Sequence, residues 1–367
     1  MTKNIEFNYW MPDEKDRVSY AFADHVRMTA EATDRPAVPE TFFDIDAFGR
    51  VNYSELAACV DKSNIDFSFT FDCASRISGV LLQQIGAMIN AAPNLDTALD
   101  VLISTISYYD DRIIACKSRH KDKTNFCMFY KRAVNADFLH IQAGALFLTA
   151  LDAWPAHYID NSTFNFPRVT KGNKQTLKSI MSGFSWVDIE TGKLPMLSWT
   201  IDTEKLQWPA PNFNPEWWEH SQKFLRSGLD GLSTVEKGRN PWCRFTTAAM
   251  LTDPKNMTAE KACYLAGVSN KTLSKKLASE GYNAAALKTW ILKEFAMRCM
   301  AAKIPEELYA AVFGYTLPEL RASLKRRGIE NPYLMCQHSK ERLRQELQSI
   351  DRTYPIIERQ TAKIRSL

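Results

Sequence analysis

The stretch "AGVSNKTLSKKL", residues 266–277, decides how the last third of the chain folds. Gly267 suits a helix end because glycine tolerates a left-handed backbone, and Ser269 suits the next helix start because its hydroxyl accepts a bond from a free amide. Leu273 and Leu277, four residues apart, share one helix face. The pattern predicts a helix over 258–266 begun by Thr258, a glycine turn, and a helix over 270–279.

The opposite face of the second helix is polar and basic. Such side chains contribute little to a core, whereas a DNA major groove is wide enough for a helix and presents base-edge donors and acceptors between two rows of phosphate. The alternative is the solvated face of a helix in a bundle. The helix-turn-helix interpretation predicts DNA contacts from Ser269, Asn270, Lys271, Thr272, Ser274 and Lys275.

A second copy of this plan follows in "ELYAAVFGYTLPELRASLKRR", residues 307–327. We expect a helix over 306–312, a turn at Gly314, and a helix from about Leu317 that buries Leu320 and Leu324. Thr316 is the expected N-cap, and proline is favoured in the first turn of a helix. The predicted DNA contacts of this unit are Thr316, Pro318, Arg321, Lys325 and Arg326.

One long helix, 283–302, joins the two units, with Leu287, Ile291, Phe295 and Met297 on its apolar side. Twenty helical residues span about 30 Å. Successive major grooves on one face of DNA are about 34–36 Å apart. The length therefore fits two recognition helices held one turn of duplex apart, although helices of this length are also common in bundles.

The first two-thirds of the chain mixes helix and strand patterns and predicts an α+β or mixed α/β domain. A helical pattern follows Pro93, and residues 112–133 read as two strands around a turn near 121–124. Another helix is expected over 137–154, with short strands at 162–167 and 194–202. Residues 208–243 are rich in Pro, Gly and Asn. They predict a connection with one helix from Pro215, capped by Asn214 and broken at Gly228 and Gly231.

The predicted domain organisation has four parts. Residues 1–235 form a mixed N-terminal effector-sensing and dimerisation domain, and 236–256 form a linker with the first helix. Residues 257–337 form an all-α domain with two helix-turn-helix motifs, and 338–367 a basic helix and tail. The net charge is +8 from residue 257 onward and −4 before it, which favours a polyanionic partner for the C-terminal third.

The composition and the absence of certain motifs argue against several classes of protein. No apolar run is long enough for a membrane span, and no secretion signal is visible. The 8 cysteines form no CxxC pair and no zinc-like cluster, as expected of free thiols in a reducing cytoplasm. The sequence has no GxxxxGK[ST], HExxH or GxSxG motif, so we predict no enzyme activity, no catalytic residues, no metal and no cofactor.

The C-terminal residues resemble the AraC/XylS family of bacterial transcription regulators. "GVSNKTLSKKLASEG", 267–281, is similar to the family's first helix-turn-helix, G-[MV]-S-x-R-T-L-x-R-x-L-x-x-E-G. "LKEFAMRCM", 292–300, resembles its linker helix, and "AAVFGYTLPELRASLKRRGIENPY", 310–333, resembles its second unit. The second unit departs from the pattern. The family usually has about two more residues before Gly328, aromatics at Leu320 and Leu324, and an apolar residue at Glu306.

The N-terminal part resembles, more loosely, the arabinose-binding-domain-like effector domain of a subgroup of this family. "RISGVLLQQIGAMINAAPNLDTALDVLISTISYY", 76–109, and "LPMLSWTIDTEKLQWPAPNFNPEWWEHSQ", 194–222, carry that resemblance. It implies a ligand-responsive homodimeric regulator, typically an activator that contacts RNA polymerase in the cytoplasm, at the nucleoid.

A small-molecule pocket would be lined by aromatic side chains with a few polar groups. Most such aromatics are core residues, and the basic residues of 112–120 also fit a solvated edge strand. The candidates for ligand contact are Arg112, Lys117, Phe138, Phe147, Trp154, Phe164, Phe166, Trp186 and Trp199.

The function predicted from the sequence is a sequence-specific DNA-binding transcriptional regulator that responds to a small-molecule signal. One alternative is a regulator controlled by a protein partner, with no small-molecule pocket. Another is an enzyme whose C-terminal helices are only structural.

Overall fold

The computed structural model describes most of the chain between residues 17 and 326, and these residues form twelve helices and seven strands. The described residues are 17–35, 45, 49–52, 55–56, 69, 72–74, 76, 83–111, 113–130, 137–151, 154–166, 187–191, 197–235, 240–301, 310–311 and 313–326. The predicted tail helix, 338–367, lies outside them. The strands are β1 Arg17–Ser19, β2 Arg50–Asn52, β3 Ile113–His120, β4 Lys123–Tyr130, β5 Ser162–Phe166, β6 Val187–Thr191 and β7 Leu197–Asp202. The helices are α1 Tyr20–Ala32, α2 Gln83–Asn90, α3 Leu95–Tyr109, α4 Asp137–Leu151, α5 Ala156–Ile159, α6 Thr203–Leu206, α7 Pro215–Val235, α8 Pro241–Met250, α9 Glu260–Ala266, α10 Asn270–Ser279, α11 Ala284–Ala301 and α12 Leu317–Arg326.

The larger sheet has five strands in the order β3-β4-β7-β5-β6. The hairpin of β3 and β4 turns at Lys121, which has a φ of +55°. The other neighbouring pairs are antiparallel except β5 and β6, which are parallel. The mixture of helix and sheet predicted for the first two-thirds of the chain is confirmed.

Aromatic side chains fill the space between the sheet and α4. Phe147 stacks on Phe126 with ring centroids 4.6 Å apart and lies 5.5 Å from Phe164. Trp199 meets Phe147 edge to face, and its indole nitrogen donates to Ser162 Oγ at 2.8 Å. Phe147, Phe164 and Trp199, all candidates for ligand contact, are thus buried in a closed core, where such pairs add stability beyond their area.

Helix α7 is longer than predicted. The expected breaks at Gly228 and Gly231 are wrong, because the helix runs unbroken for 21 residues through both glycines. It is amphipathic and buries Trp218, Leu225 and Leu229. Burial of this apolar stripe offsets the cost of about 1 kcal/mol for each internal glycine.

A buried ion cluster lies where the sheet, α3 and the C-terminal helices meet. The Lys117 ammonium on β3 is 2.5 Å from carboxylate oxygens of both Asp96 and Asp100 on α3. Arg119 reaches Asp96 at 2.8 Å, and Lys261 of α9 reaches Asp100 at 2.6 Å. Asp100 and Lys117 are buried, so their charges depend on one another.

The cluster also determines the protonation state of Asp96. Burial by itself would raise the pKa of this carboxyl, but the charge of Lys117 and its hydrogen bond, with the charges of Arg119 and Lys261, lower it below its ordinary value. For Lys261, burial favours the neutral amine, and the Asp100 carboxylate outweighs it and raises the pKa. Both groups are therefore held in their charged forms.

Helix α8 joins the two parts of the molecule. Its residues are buried apart from the half-buried Arg244, and it packs against α3 on one side and α7, α9, α10 and α11 on the others. The Tyr108 hydroxyl donates to the carbonyl of Pro241 at 2.9 Å, and Arg244 pairs with Asp111 at 3.0 Å. The segment predicted as a linker and first helix, 236–256, thus contains a central helix of a continuous core.

We expect Lys117→Met to lower the free energy of unfolding by about 3–5 kcal/mol, because it removes the buried cation that two buried carboxylates share and leaves them only the more exposed Arg119 and Lys261. The matched control is Lys123→Met, which removes an exposed pair with Asp202 and should change stability by less than about 1 kcal/mol. Urea denaturation of both variants measures the difference. Equal losses in the two variants would contradict the structural role of the cluster.

Candidate nucleic-acid interface

The predicted helix, turn and helix are present at residues 260–279. Gly267 ends α9 with a φ of +59°, and the amide of Val268 donates to the carbonyl of Cys263 at 2.9 Å, a bond that satisfies the last turn. The predicted N-cap, Thr258, is wrong. Ala259 occupies that position and makes no side-chain cap.

The second helix of the unit begins and packs as predicted. The hydroxyl of Ser269 accepts from the amide of Thr272 at 3.2 Å. Leu273 and Leu277 are buried at 2% and 1% exposure, and they anchor α10 against the apolar side chains of α9 and α8. The direction of α10 is therefore determined by its own inner face.

The outer face of α10 is open to solvent. Asn270, Lys271, Ser274 and Lys275 are exposed, and Thr272 is half-buried. Within the described part of the chain, Lys271 and Lys275 have no carboxylate partner. Lys276 is different, because it pairs with Asp230 of α7 at 2.6 Å and lies 5.7 Å from the ring centre of Trp242. The basic residues of α10 thus divide into one that packs and two that face outward.

Glu280, directly after α10, holds the start of α8. Its carboxylate accepts from the amides of Trp242 and Cys243 at 3.1 and 2.8 Å, and from the hydroxyl of Ser233 at 3.1 Å. These amides belong to the first turn of a helix and have no partner within it. Burial, with the neighbouring Glu280, raises the pKa of the Cys243 thiol above its ordinary value, so this thiol is inert.

Helix α7 lies across the turn of the unit. Gln222 donates to the carbonyl of Tyr264 at 2.5 Å, and Arg226 donates to the carbonyl of Gly267 at 2.9 Å. The ring of Trp218 lies 5.9 Å from the ring of Tyr264. The turn between α9 and α10 is therefore bonded directly to a helix that begins beside the mixed domain.

The second unit is described in part. Helical residues 310–311 lead to Gly314, whose φ is +70°, and α12 follows. Thr316 and Glu319 form a reciprocal cap in which the Thr316 amide donates to Glu319 at 2.8 Å and the Glu319 amide donates back at 3.4 Å. Of the first predicted helix, 306–312, residues 306–309 and 312 lie outside the described part of the chain. Pro318, Arg321, Lys325 and Arg326 are exposed, as is Thr316, while Leu320 and Leu324 are buried.

This second unit also touches the mixed domain. The hydroxyl of Ser118 donates to the carbonyl of Ala311 at 3.3 Å, and a Cβ at Gly314 would lie 3.5 Å from that of Ser118. Helix α11, which separates the units, has 18 residues and buries Leu287 and Ile291. The side chains of Phe295 and Met297, which were also predicted on its apolar side, lie outside the described part of the chain.

The predicted ligand residues that the structure describes lie in three places, and Phe147, Phe164 and Trp199 share one of them, the aromatic core. Lys117 is held in the ion cluster, so we propose a structural role for it in place of the ligand contact. Trp154 borders an open cleft beside α2 and α7. Two further candidates for ligand contact, Arg112 and Trp186, lie outside the described residues. The same holds for the side chains of Phe138 and Phe166.

Sequence reasoning missed the residues that hold the α9–α10 unit in place: Asp96, Asp100, Gln222, Arg226 and Glu280. Only Glu280 had a local signal, the glutamate–glycine pair that ends the helix-turn-helix pattern. The others act across 17 or more residues of sequence, so no periodicity could reveal them.

No group of three His, Cys, Asp or Glu side chains in the described part of the chain is placed to hold a metal ion. None of the helices described has both the length and the apolar character that crossing a bilayer requires.

No protein-family model matches the chain, and no curated protein matches it. Among solved structures, the chain is similar to the crystal structure of the transcriptional regulator CdpR from Pseudomonas aeruginosa. The two are 12% identical, and the match covers 86% of this chain and 98% of that chain with a TM-score of 0.44. A likeness at this level does not assign a function.

We expect Gly267→Ala to destabilise the protein by about 1–2 kcal/mol, because its left-handed backbone disfavours a Cβ and that Cβ would lie 3.3 Å from Gln222 Oε1. Gly228→Ala is the matched control. Gly228 is inside α7 with nothing within 4 Å of the added Cβ. Alanine should stabilise the helix there by about 0.5–1 kcal/mol. Thermal unfolding of both variants gives the two signs, and the same sign for both would contradict this account of the turn.

Glu280→Ala should lower the free energy of unfolding by about 1–3 kcal/mol, because hydrogen bonds to a charged acceptor are lost and two helix amides remain unsatisfied. Glu219→Ala removes an exposed carboxylate that pairs only within α7 and should leave stability close to that of the parent protein. Denaturant titration compares them. Stability of Glu280→Ala equal to that of the control would refute the capping role.

Proposed function

We propose that this chain is a DNA-binding transcriptional regulator whose α9–α10 unit inserts α10 into the major groove. The observation that carries the proposal is the division of α10 into two faces. Leu273 and Leu277 are buried, while Asn270, Lys271, Ser274 and Lys275 are exposed. Amide and hydroxyl groups suit base edges, and the two ammonium groups suit the flanking phosphates.

Helix α12, the proposed second recognition helix, supports the proposal because its exposed face is basic. Arg321, Lys325 and Arg326 are exposed on α12, and the capped start of this helix is exposed as well. Helix α11 between the units is about 27 Å long at 1.5 Å per residue. That length is compatible with two helices on one face of a duplex, whose turn is about 34–36 Å. We propose that α12 positions the protein mainly through phosphate contacts.

The finer parts of the proposal rest on the resemblance of the sequence to the AraC/XylS family. They are response to a small-molecule signal, a homodimeric state, activation through contact with RNA polymerase, and location in the bacterial cytoplasm at the nucleoid. We retain the proposed domain division at 1–235, 236–256, 257–337 and 338–367. If the C-terminal helices had only a structural role, as in an enzyme, the exposed basic faces of α10 and α12 would have no function.

We expect Lys271→Ala and Lys275→Ala each to weaken binding to a 30-base-pair duplex selected from a randomised library. Each substitution should reduce the slope of log affinity against log salt by about 1, because each removes one phosphate contact. The measurement is a fluorescence anisotropy titration at several salt concentrations, with circular dichroism to show unchanged helicity.

The control for this titration is Lys223→Ala, which removes an exposed lysine from α7. Its affinity and salt slope should match those of the parent protein. A parent protein that binds no duplex, or losses equal to those of the control, would refute the proposed function.

A further inference from the structure

An open cleft of about 920 Å³ lies between α2, the Trp154–Pro155 segment, the loop at 210–214 and the first half of α7. Small-molecule sites enclose about 300–1,000 Å³, so the cleft has the size of a ligand site. None of the described residues in its walls belongs to α10 or α12. It is therefore separate from the proposed DNA-binding surface.

The cleft is walled by aromatic side chains that solvent can reach. Trp217 is 70% exposed and Phe224 is 46% exposed, and they lie seven residues apart on one face of α7. Trp154 and Met88 form the apolar wall opposite. Exposed apolar surface in a concave setting marks a binding site more often than a convex patch does.

Two ionisable side chains line the cleft. Glu216 supplies a carboxylate and His220 an imidazole, and no lysine or arginine occurs among the described residues that line it. The amides of Glu216 and Trp217, which could attract an anion at the start of α7, both donate to Asn214 Oδ1, at 2.8 and 3.3 Å. A carboxylate beside aromatic faces favours a cation with an apolar body.

From these observations we propose that the cleft binds a small amphipathic amine and that binding alters the DNA-binding unit through α7. The effector role rests on the proposed function, whereas the binding site does not. Ser221 and Phe224 line the cleft, and on the same helix Gln222 and Arg226 bond the turn that carries α10. A ligand that favours one position of α7 therefore changes DNA affinity by linkage.

The binding test uses three probes of similar size at pH 8: 4-phenylbutylamine, 4-phenylbutan-1-ol and 4-phenylbutyrate. Calorimetry and saturation-transfer NMR should rank the amine first and the carboxylate last. Trp217→Ala should weaken all three at least fivefold. Glu216→Gln should remove the advantage of the amine over the alcohol, whereas the matched control Glu219→Gln, on the same helix outside the cleft, should preserve it.

Several results would overturn the site. They are no binding of any probe, tighter binding of the carboxylate, or affinities that Trp217→Ala leaves unchanged. Sedimentation of the same variant without ligand tests another occupant, a second copy of the chain. Loss of a dimer in Trp217→Ala would show that the aromatic wall is an interface between copies and would also refute the proposal.

The coupling test measures DNA affinity of the parent protein with and without saturating 4-phenylbutylamine. We expect at least a twofold change that is absent in Gln222→Ala/Arg226→Ala. An amine that binds in the cleft but leaves DNA affinity unchanged refutes the coupling alone. A protein that binds no DNA even without the amine refutes the proposed function, and the three-probe ranking still decides the site.

Discussion

The ion cluster centred on Lys117 is the constraint on which the arrangement of the molecule depends. One ammonium on β3 lies between two carboxylates of α3, and the more deeply buried of the two, Asp100, also binds Lys261 of α9. A buried charge costs much free energy unless an opposite charge and hydrogen bonds compensate it. Separating β3, α3 and α9 would therefore leave these charges without partners or expose them to solvent. The cluster thus holds α9, the first helix of the proposed DNA-binding unit, against the mixed domain.

Around this cluster, the polar residues of the C-terminal helices fall into two groups with different tasks. Lys261, Lys276 and Glu280 point inward and bond α3, α7 and α8. Lys271 and Lys275 point outward. The inward group gives α10 a rigid support, and a rigid support lets the outer side chains meet a groove with little further loss of conformational freedom. Stability and the proposed DNA recognition would therefore be carried by different residues of the same short segment.

Local patterns predicted the local parts of this structure. The glycine turn and serine cap of α9–α10, the hairpin of β3 and β4, and helix α3 all follow from spacing within a few residues, and all are present. Helix α7 was predicted as broken because glycine disfavours helix, yet tertiary burial of its apolar stripe prevails. The charge of Lys117 favours a solvated position on an edge strand, and β3 is an edge strand of the sheet, yet Lys117 is buried. The buried partners on α3 lie 21 and 17 residues away, beyond the reach of any local pattern, and α8 covers the strand as well.

The central claim is that the outer face of α10 lies in the major groove. Its most direct test places a photo-activated cross-linker on Ser274→Cys and, for comparison, on Met28→Cys, an exposed position on α1. With a duplex selected from a randomised library, cross-links from position 274 should map to bases of one half-site, and position 28 should give none. Equal cross-linking from both positions, or links from 274 to scattered backbone sites alone, would contradict the account.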